Sequence, residues 1–472
     1  MDDYRADIRK KIEDWFEKHS DEMLDDLEKL IAVKSVRGPS EDGAPYGPGP
    51  REALKLAGSM LESRGFEVSG FEDIIISADY GPAPPKLGIL AHLDVVDPGE
   101  GWETDPYGMA IKEGRIFGRG ATDNKGPSVA SMYAVYCVRD IYPQLRSGVR
   151  LILRSGEESG CEDVALYISK NETPECVFSP DADYPIVNTE KGRALVFFGA
   201  SWDKEPGLPR VISITGGKTT NIVPSRAEAV IEGFTLAEAE VFCCEYGAKT
   251  DAIFTARPDG DRIILAAEGK SSHAALPNLG LNAQTALLEM LSAMPMSDSK
   301  GFGYIKALSR LFPHGGYNGS ALGIAMSDDI SGELTMNFGV LRFSEYELAG
   351  NIDCRTPACA DEIDLLGIIR TAMENEGLNL VNSDTNRCHH TPGDSPFVKS
   401  LLRIYEEYTG EPGGCLAMGG QTYVHEIPGG VAFGCEMPGA DNHIHGVNEF
   451  IEMEQLMISA KMFAHAIIDI CG

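Results

Sequence analysis

Five stretches of this chain set ionisable side chains just past an apolar run. They are "LGILAHLDVV" with His92 and Asp94, "GRGATDNKGP" with Asp123, "LRSGEESG" with Glu157 and Glu158, "FSPDADYP" with Asp181, and "DNHIHGVNE" with His443 and His445. Imidazole and carboxylate groups are the donors that zinc and its divalent neighbours take. Taken singly, each stretch reads as an ordinary element. Asp123 precedes Gly126-Pro127, which is helix N-terminal chemistry, and a lone His-x-Asp is more often a core histidine held by an acid. His92 and Asp94 are two apart on a strand, so both leave it on one face. Asp94 can then orient an imidazole whose other nitrogen binds a metal. Five such stretches together point to a metal site, because ligand sites in open α/β sheets gather at the carboxyl ends of strands.

The elements that must position them alternate. Residues 1–35 read as one helix, with Ile8, Ile12, Trp15, Phe16, Met23, Leu24, Leu27, Leu30 and Ile31 at helical spacing. A Gly/Pro loop follows, then a helix over 51–64 that stops at Gly65. Strands are expected over 66–68, 73–78 and 86–93, a helix over 125–138, and strands again in "GVRLILRSGEESG" and "ECVFSPDAD". Strands alternating with helices make an α/β sheet. From Thr189 the texture changes to strand pairs with single helices, expected over 282–294 and 360–375. That is an α+β domain inserted into the first, and after "HHTPGDSPFVKSLLRIYEEYTG" the α/β texture returns. The domains are therefore 1–188 and 385–472 for the α/β body and 189–384 for the insert.

Composition narrows the function. The chain has 472 residues, 43% hydrophobic, enough for more than one core. With 72 acidic against 41 basic residues, the net charge of -31 excludes a nucleic acid or an anionic membrane surface as partner. The 11 cysteines are scattered without a Cys-x-x-Cys pair, which reads as reduced thiols in a cytosol. The N-terminus is a charged amphipathic helix without an apolar signal core. No apolar run approaches the ~20 residues of a membrane span. The expectation is a soluble cytoplasmic protein.

In order, "HLDVV", "GRGATDNKG", "GEESG", "SPDADYP", "HAALPNLGLNA" and "HGVNE" resemble the motifs of the di-metal exopeptidase and deacylase clan of acylases, succinyl-diaminopimelate desuccinylase and carboxypeptidase G. "SPDADYPIVNTEKG" and the long insert resemble PepV-type Xaa-His dipeptidases in particular. The resemblance covers nearly the whole chain. It implies a three-layer α/β/α zinc-exopeptidase body with an inserted α+β lid of two ferredoxin-like lobes. It also implies two divalent ions, zinc first, with manganese or cobalt accommodated. His92, Asp123 and Asp181 would hold one ion, and Asp123, Glu158 and His445 the other, with the peptide after Asp123 cis. Three carboxylates and one bridging hydroxide would balance the charge of the two ions, as a partly buried site needs.

The same resemblance assigns the remaining roles. Glu157 would be the general base that takes a proton from a metal-bridging water and delivers it to the leaving amine. Consecutive residues of an extended segment point oppositely, so Glu158 could bind metal while Glu157 faces substrate. His273 would stabilise the oxyanion with Asn221 as helper, and Arg355 would clamp a substrate carboxylate. The turn at Gly419 and Gly420 would line the carboxylate pocket. The His-x-x-Asn-Glu spacing favours His445 over His443 as ligand. The implied activity is hydrolysis of dipeptides by a monomer, with the second lobe of the insert standing in for a partner subunit. The rival within hydrolases is an N-acyl-amino-acid deacylase such as a desuccinylase. The rival of another class is a catalytically silent binding protein on the same fold.

Overall fold

The strand Pro85–His92 accounts for the layering. Leu87, Ile89 and Ala91 enter one core while Leu90 enters another, and burial on both faces is what a central strand requires. The computed structural model describes residues 2–160 and 162–472. Pro85–His92 runs parallel to Gly148–Arg154 on one side and Cys176–Ser179 on the other, and the latter runs parallel to Gly430–Ala432. Ile75–Tyr80 and Val68–Phe71 extend the sheet antiparallel beyond Gly148–Arg154.

One face of the sheet is covered by the helices Asp2–Ala32, Lys125–Ile141, Pro396–Thr409 and Met453–Cys471, which share a core through Leu27, Tyr133, Leu401 and Phe463. The other face packs Leu90, Ile152 and Val177 against Val164 and Tyr167 of the helix Glu162–Lys170 and against Tyr423 and Ile427. The result is a three-layer α/β/α body. Its first layer is completed by the end of the chain, so residues up to Thr189, His389–Leu416 and Gln421–Gly472 form one compact unit.

Glu190–Cys388, together with Ala417–Gly420, forms the second unit. Among the described residues it holds one antiparallel sheet of eight strands. Their order is Ile253–Asp259, Arg262–Glu268, Arg226–Glu232, Arg210–Gly216, Thr335–Phe343, Glu347–Thr356, Gly192–Ser201 and Asn379–Asn386. The helices Leu236–Thr250, Ala283–Ala293, Lys300–Leu311 and Leu365–Asn375 supply its core with Tyr246, Leu287, Leu308 and Ile369. The two four-strand halves thus share one sheet and one core. Local chemistry sets the helix starts: Thr235 and Glu238 form a reciprocal capping box, and the Asn282 side chain accepts from the N–H groups of Gln284 and Thr285. The single helix expected over 360–375 is instead a 3-10 turn, Ala358–Glu362, and an α-helix, Leu365–Asn375. Asp364 caps the latter through the N–H of Gly367 at 3.0 Å.

Candidate functional site

Three neighbouring parallel strands deliver most of the site from their carboxyl ends. His92 closes Pro85–His92 and lies beside Arg154 in register. Glu157 and Glu158 follow Arg154, and Asp181 follows Ser179. Asp123 and His445 arrive on loops joined by a small antiparallel ladder that pairs Phe117 with Phe450. The peptide Asp123–Asn124 is cis.

Asp123 is the hub. Its Oδ1 lies 2.9 Å from His92 Nε2, and its Oδ2 lies 2.9 Å from His445 Nε2. Asp181 Oδ2 is 3.6 Å from the same His92 nitrogen, and Glu158 Oε2 is 3.1 Å from the same His445 nitrogen. Two donor groups share Asp123, His92/Asp123/Asp181 and Asp123/Glu158/His445, and a third, His92/Glu157/Glu158, lies beside them; in each the ligand atoms are within 4.8 Å of one another. His443 is elsewhere: its ring packs edge-on against Phe450 at 5.6 Å.

The electrostatics of the cluster favour a cation. Burial pushes the Glu157 carboxyl up to about 8, with His92 opposing and Asp181, Asp123 and Glu158 adding to the rise. Burial and Asp123 likewise push Glu158 up to about 7, while hydrogen bonds to Asp123 and Glu158 raise His445 to about 11. Burial disfavours the charged form of His92, yet Asp181, Asp123 and Asp94 hold it well above its ordinary value. The carboxylates that draw protons onto the two imidazoles would draw divalent cations in their place. Glu158 Oε1, buried without a hydrogen-bond partner, is a further free donor. One imidazole with otherwise oxygen donors per ion suits zinc and admits manganese or cobalt.

Asp94 does more than spacing alone showed. His92 Nδ1 lies 3.0 Å from the Asp94 carbonyl and 3.4 Å from its carboxylate. That carboxylate accepts the backbone N–H groups of Glu157 at 3.1 Å and Glu158 at 3.0 Å, so it ties the histidine to the glutamate pair. Glu157 and Glu158 do not lie on an extended segment as the sequence reading assumed. Gly160 N–H bonds to Glu157 O at 3.1 Å and closes a turn there. Both carboxyls accordingly come within reach of His92 rather than pointing oppositely.

The other five residues singled out belong to the second unit and gather there. The segments 221–223 and 272–274 pair, with Ala274 N–H on Asn221 O at 2.8 Å and Val223 N–H on Ser272 O at 2.9 Å, which sets Ile222 opposite His273 and Asn221 one position along, bonded to Ala274. The Ala275 N–H reaches His273 Nδ1 at 3.3 Å, so that nitrogen accepts and Nε2 carries the proton. Burial, then the Arg355 charge, lowers the His273 pKa and keeps the ring neutral. Arg355 is held on two sides by Asp353, at 2.9 and 3.1 Å, and donates to Gly419 O at 2.9 Å. A Cβ at Gly419 would meet that of Ala275 at 2.8 Å, and one at Gly420 would meet the end of Met418 at 2.7 Å.

The model of peptidase family M20/M25/M40 matches residues 88–469, which takes in every one of these positions. The chain belongs to this family. It is 34% identical to the putative dipeptidase YtjP of Bacillus subtilis (strain 168), over 95% of this chain and 97% of that one. It is 30% identical to the Beta-Ala-Xaa dipeptidase of Lactobacillus delbrueckii subsp. lactis, over 96% and 97%. Its fold is that of the aminoacylhistidine dipeptidase from Vibrio alginolyticus, with TM-score 0.59 at 12% identity over 95% and 96% of the two chains. Human carnosine dipeptidase 1 shares it too, with TM-score 0.56 at 15% identity over 98% of each. The protein is therefore a hydrolase of the M20 metallopeptidases.

One residue of this M20 site escaped the sequence reading. Glu449 is fully buried, and its carboxylate accepts the N–H groups of Gly120 (3.1 Å), Thr122 (2.9 Å) and Asp123 (3.1 Å) and an Arg119 N–H at 2.5 Å. It fixes the loop on which Asp123 stands. Its signal was its place three residues after His445's neighbour Gly446, in "HGVNE". Glu449→Ala would leave the buried Arg119 guanidinium without its carboxylate, bonded to Gly446 O alone, so unfolding in urea should show a loss of ~3–5 kcal/mol. A loss within about 0.5 kcal/mol, the range of an ordinary surface change, would remove Glu449 from that role.

Proposed function

We propose that this M20 peptidase is a two-metal dipeptidase, zinc first, acting as a monomer in the cytoplasm. The observation that carries it is Asp123, whose two oxygens each stand 2.9 Å from a different histidine. His92, Asp123 and Asp181 would hold one ion, and Asp123, Glu158 and His445 the other. When bound, the ions polarise the scissile carbonyl and make water acidic enough to attack near neutral pH. Glu157 takes the proton of the attacking water on its carboxylate and passes it to the leaving amine. Asp94 orients His92 and anchors the turn that carries Glu157.

The residues of the insert act from within the same chain. His273 Nε2–H and Asn221 stabilise the oxyanion of the tetrahedral intermediate, a role that suits a neutral imidazole whose Nδ1 already accepts a bond. Arg355 and the Gly419–Gly420 turn hold the substrate carboxylate. Three of the five guanidinium N–H groups meet Asp353 and Gly419, and two remain for a ligand. The cytoplasmic reading rests on the acidic surface and on the free thiols of the described cysteines. The dipeptide reading rests on the names of the Bacillus and Lactobacillus relatives.

Chelation followed by repletion tests the metals. Dialysis against a strong chelator should abolish turnover, and zinc, manganese or cobalt should restore it. Turnover that survives a metal content near zero would sink the two-metal reading. The same sample separates the substrates, because dipeptides should be cleaved and N-acetyl- or N-succinyl-amino acids left intact. The reverse preference would make it a deacylase, and no turnover of either a binding protein.

A further inference from the structure

The strand Thr335–Phe343 carries a polar side chain in the core of the insert that no part of the reaction so far uses. Asn337 is 1% exposed. Its Nδ2 donates to Ile222 O at 3.0 Å and to Thr220 O at 3.3 Å, the carbonyls on either side of Asn221. Its Oδ1 is buried with no partner of its own. A buried amide with an unpaired oxygen is a net cost to folding, and among the described residues the bonds its side chain makes are to this loop.

The loop is held against the same strand by its backbone. The ladder between Thr335–Phe343 and Glu347–Thr356 slips by one residue between Phe338 and Val340. At that irregularity a Cβ on Gly339 would stand 2.6 Å from Thr220 O, and one on Gly217 (φ +65°) would stand 1.8 Å from Gly339 O. The two glycines allow the loop to lie directly on the strand. From Asn337 the chain of bonds continues to His273, because residues 221–223 pair with 272–274. Thr335, two residues away on the same strand and face, donates to Ala275 O at 3.2 Å. In register, Thr335 stands opposite Arg355 and Asn337 opposite Asp353, the acid that grips Arg355.

We propose that Asn337 is a positioning residue that sets Asn221, and through it His273, for oxyanion stabilisation. It touches no substrate. One amide spans the two carbonyls that flank Asn221 and so fixes the direction in which residue 221 leaves the loop. The inference rests on the assignment of Asn221 and His273 made above. Donors aimed at an oxyanion act on the transition state more than on bound substrate, so their misplacement lowers kcat with little change in KM.

The test is Asn337→Leu, close in size and free of the unpaired oxygen, assayed as the metal-loaded full chain on an unblocked dipeptide. Asn337→Ser is the second variant, small enough to fold where leucine crowds the core and able to donate one bond. We expect kcat to fall about ten- to hundred-fold in Asn337→Leu, KM to stay within about two- to three-fold, and Asn337→Ser to recover part of the loss. In the double variant with His273→Ala, the loss should not exceed that of His273→Ala alone, because residues acting as a unit are non-additive. An activity-independent readout is the His273 ring signal in NMR, assigned by its disappearance in His273→Ala, which should shift in both Asn337 variants. Wild-type kcat in the Asn337 variants, fully additive losses with His273→Ala, or an unmoved His273 signal would each overturn the proposal. Wild-type kcat in both Asn221→Ala and His273→Ala would instead overturn the oxyanion assignment beneath it.

Discussion

Glu157→Gln should leave a folded, metal-loaded protein that hydrolyses dipeptides about 10²–10⁴-fold more slowly. Glutamine keeps the shape of the side chain and the backbone N–H that Asp94 accepts at 3.1 Å, so the turn from Ser155 to Gly160 persists. The neighbouring Glu158 keeps its 3.1 Å approach to His445, so the second donor group stays whole. What disappears is a carboxylate able to take a proton. The Glu157 carboxyl is the one of the pair outside the Asp123/Glu158/His445 group, yet it lies in the cluster around His92. Metal content measured on the same sample separates the alternatives. Near-wild-type turnover with two metals retained would take the proton-transfer role from Glu157, and loss of a metal would make it a ligand.

How much of this was legible in the sequence depends on the range over which each feature is determined. The strand Pro85–His92 could be read because its apolar run and the His-x-Asp spacing are local, and the face shared by His92 and Asp94 follows from the pleat alone. The family resemblance added the partners that lie far along the chain, and the structure brings His92, Asp123, Asp181, Glu158 and His445 together. Three features were not local. The turn at Glu157 and Glu158 is closed by Asp94, more than sixty residues away, so no propensity announces it. Glu449 reads as one more acid near the end of a loop until its backbone donors at Gly120, Thr122 and Asp123 are seen. Residues 417–420 join the insert although they lie inside the returning α/β segment, because Gly419 packs on Ala275 and its carbonyl meets Arg355. The helix expected over 360–375 failed for a different reason. Asp364 can serve as an N-cap as readily as a helix residue, and capping won.

Asp123→Ala should be the most damaging single change, because it removes a ligand from both donor groups at once. With the carboxylate gone, the first donor group is reduced to His92 and Asp181 and the second to His445 and Glu158, and two donors are too few to hold zinc against solvent. Both ions should be lost, and turnover should fall below that of Glu157→Gln. The protein should stay folded, because the backbone N–H of residue 123 still bonds to Glu449 and the helix Lys125–Ile141 remains in the core. Retention of two metals in Asp123→Ala would end the bridging assignment. The same variant tests whether a site is built from one chain. Mixed with His273→Ala, it supplies an intact insert, while His273→Ala supplies an intact metal centre. If His273 served the active site of a partner, mixed assemblies would regain activity at sites that pair the intact insert with the intact metal centre. The insert of this chain has an eight-stranded sheet with its own core, so the expected result is a mixture as inert as its two components. Recovered activity would show that His273 works across subunits, and the reading of a self-sufficient monomer would fall with it.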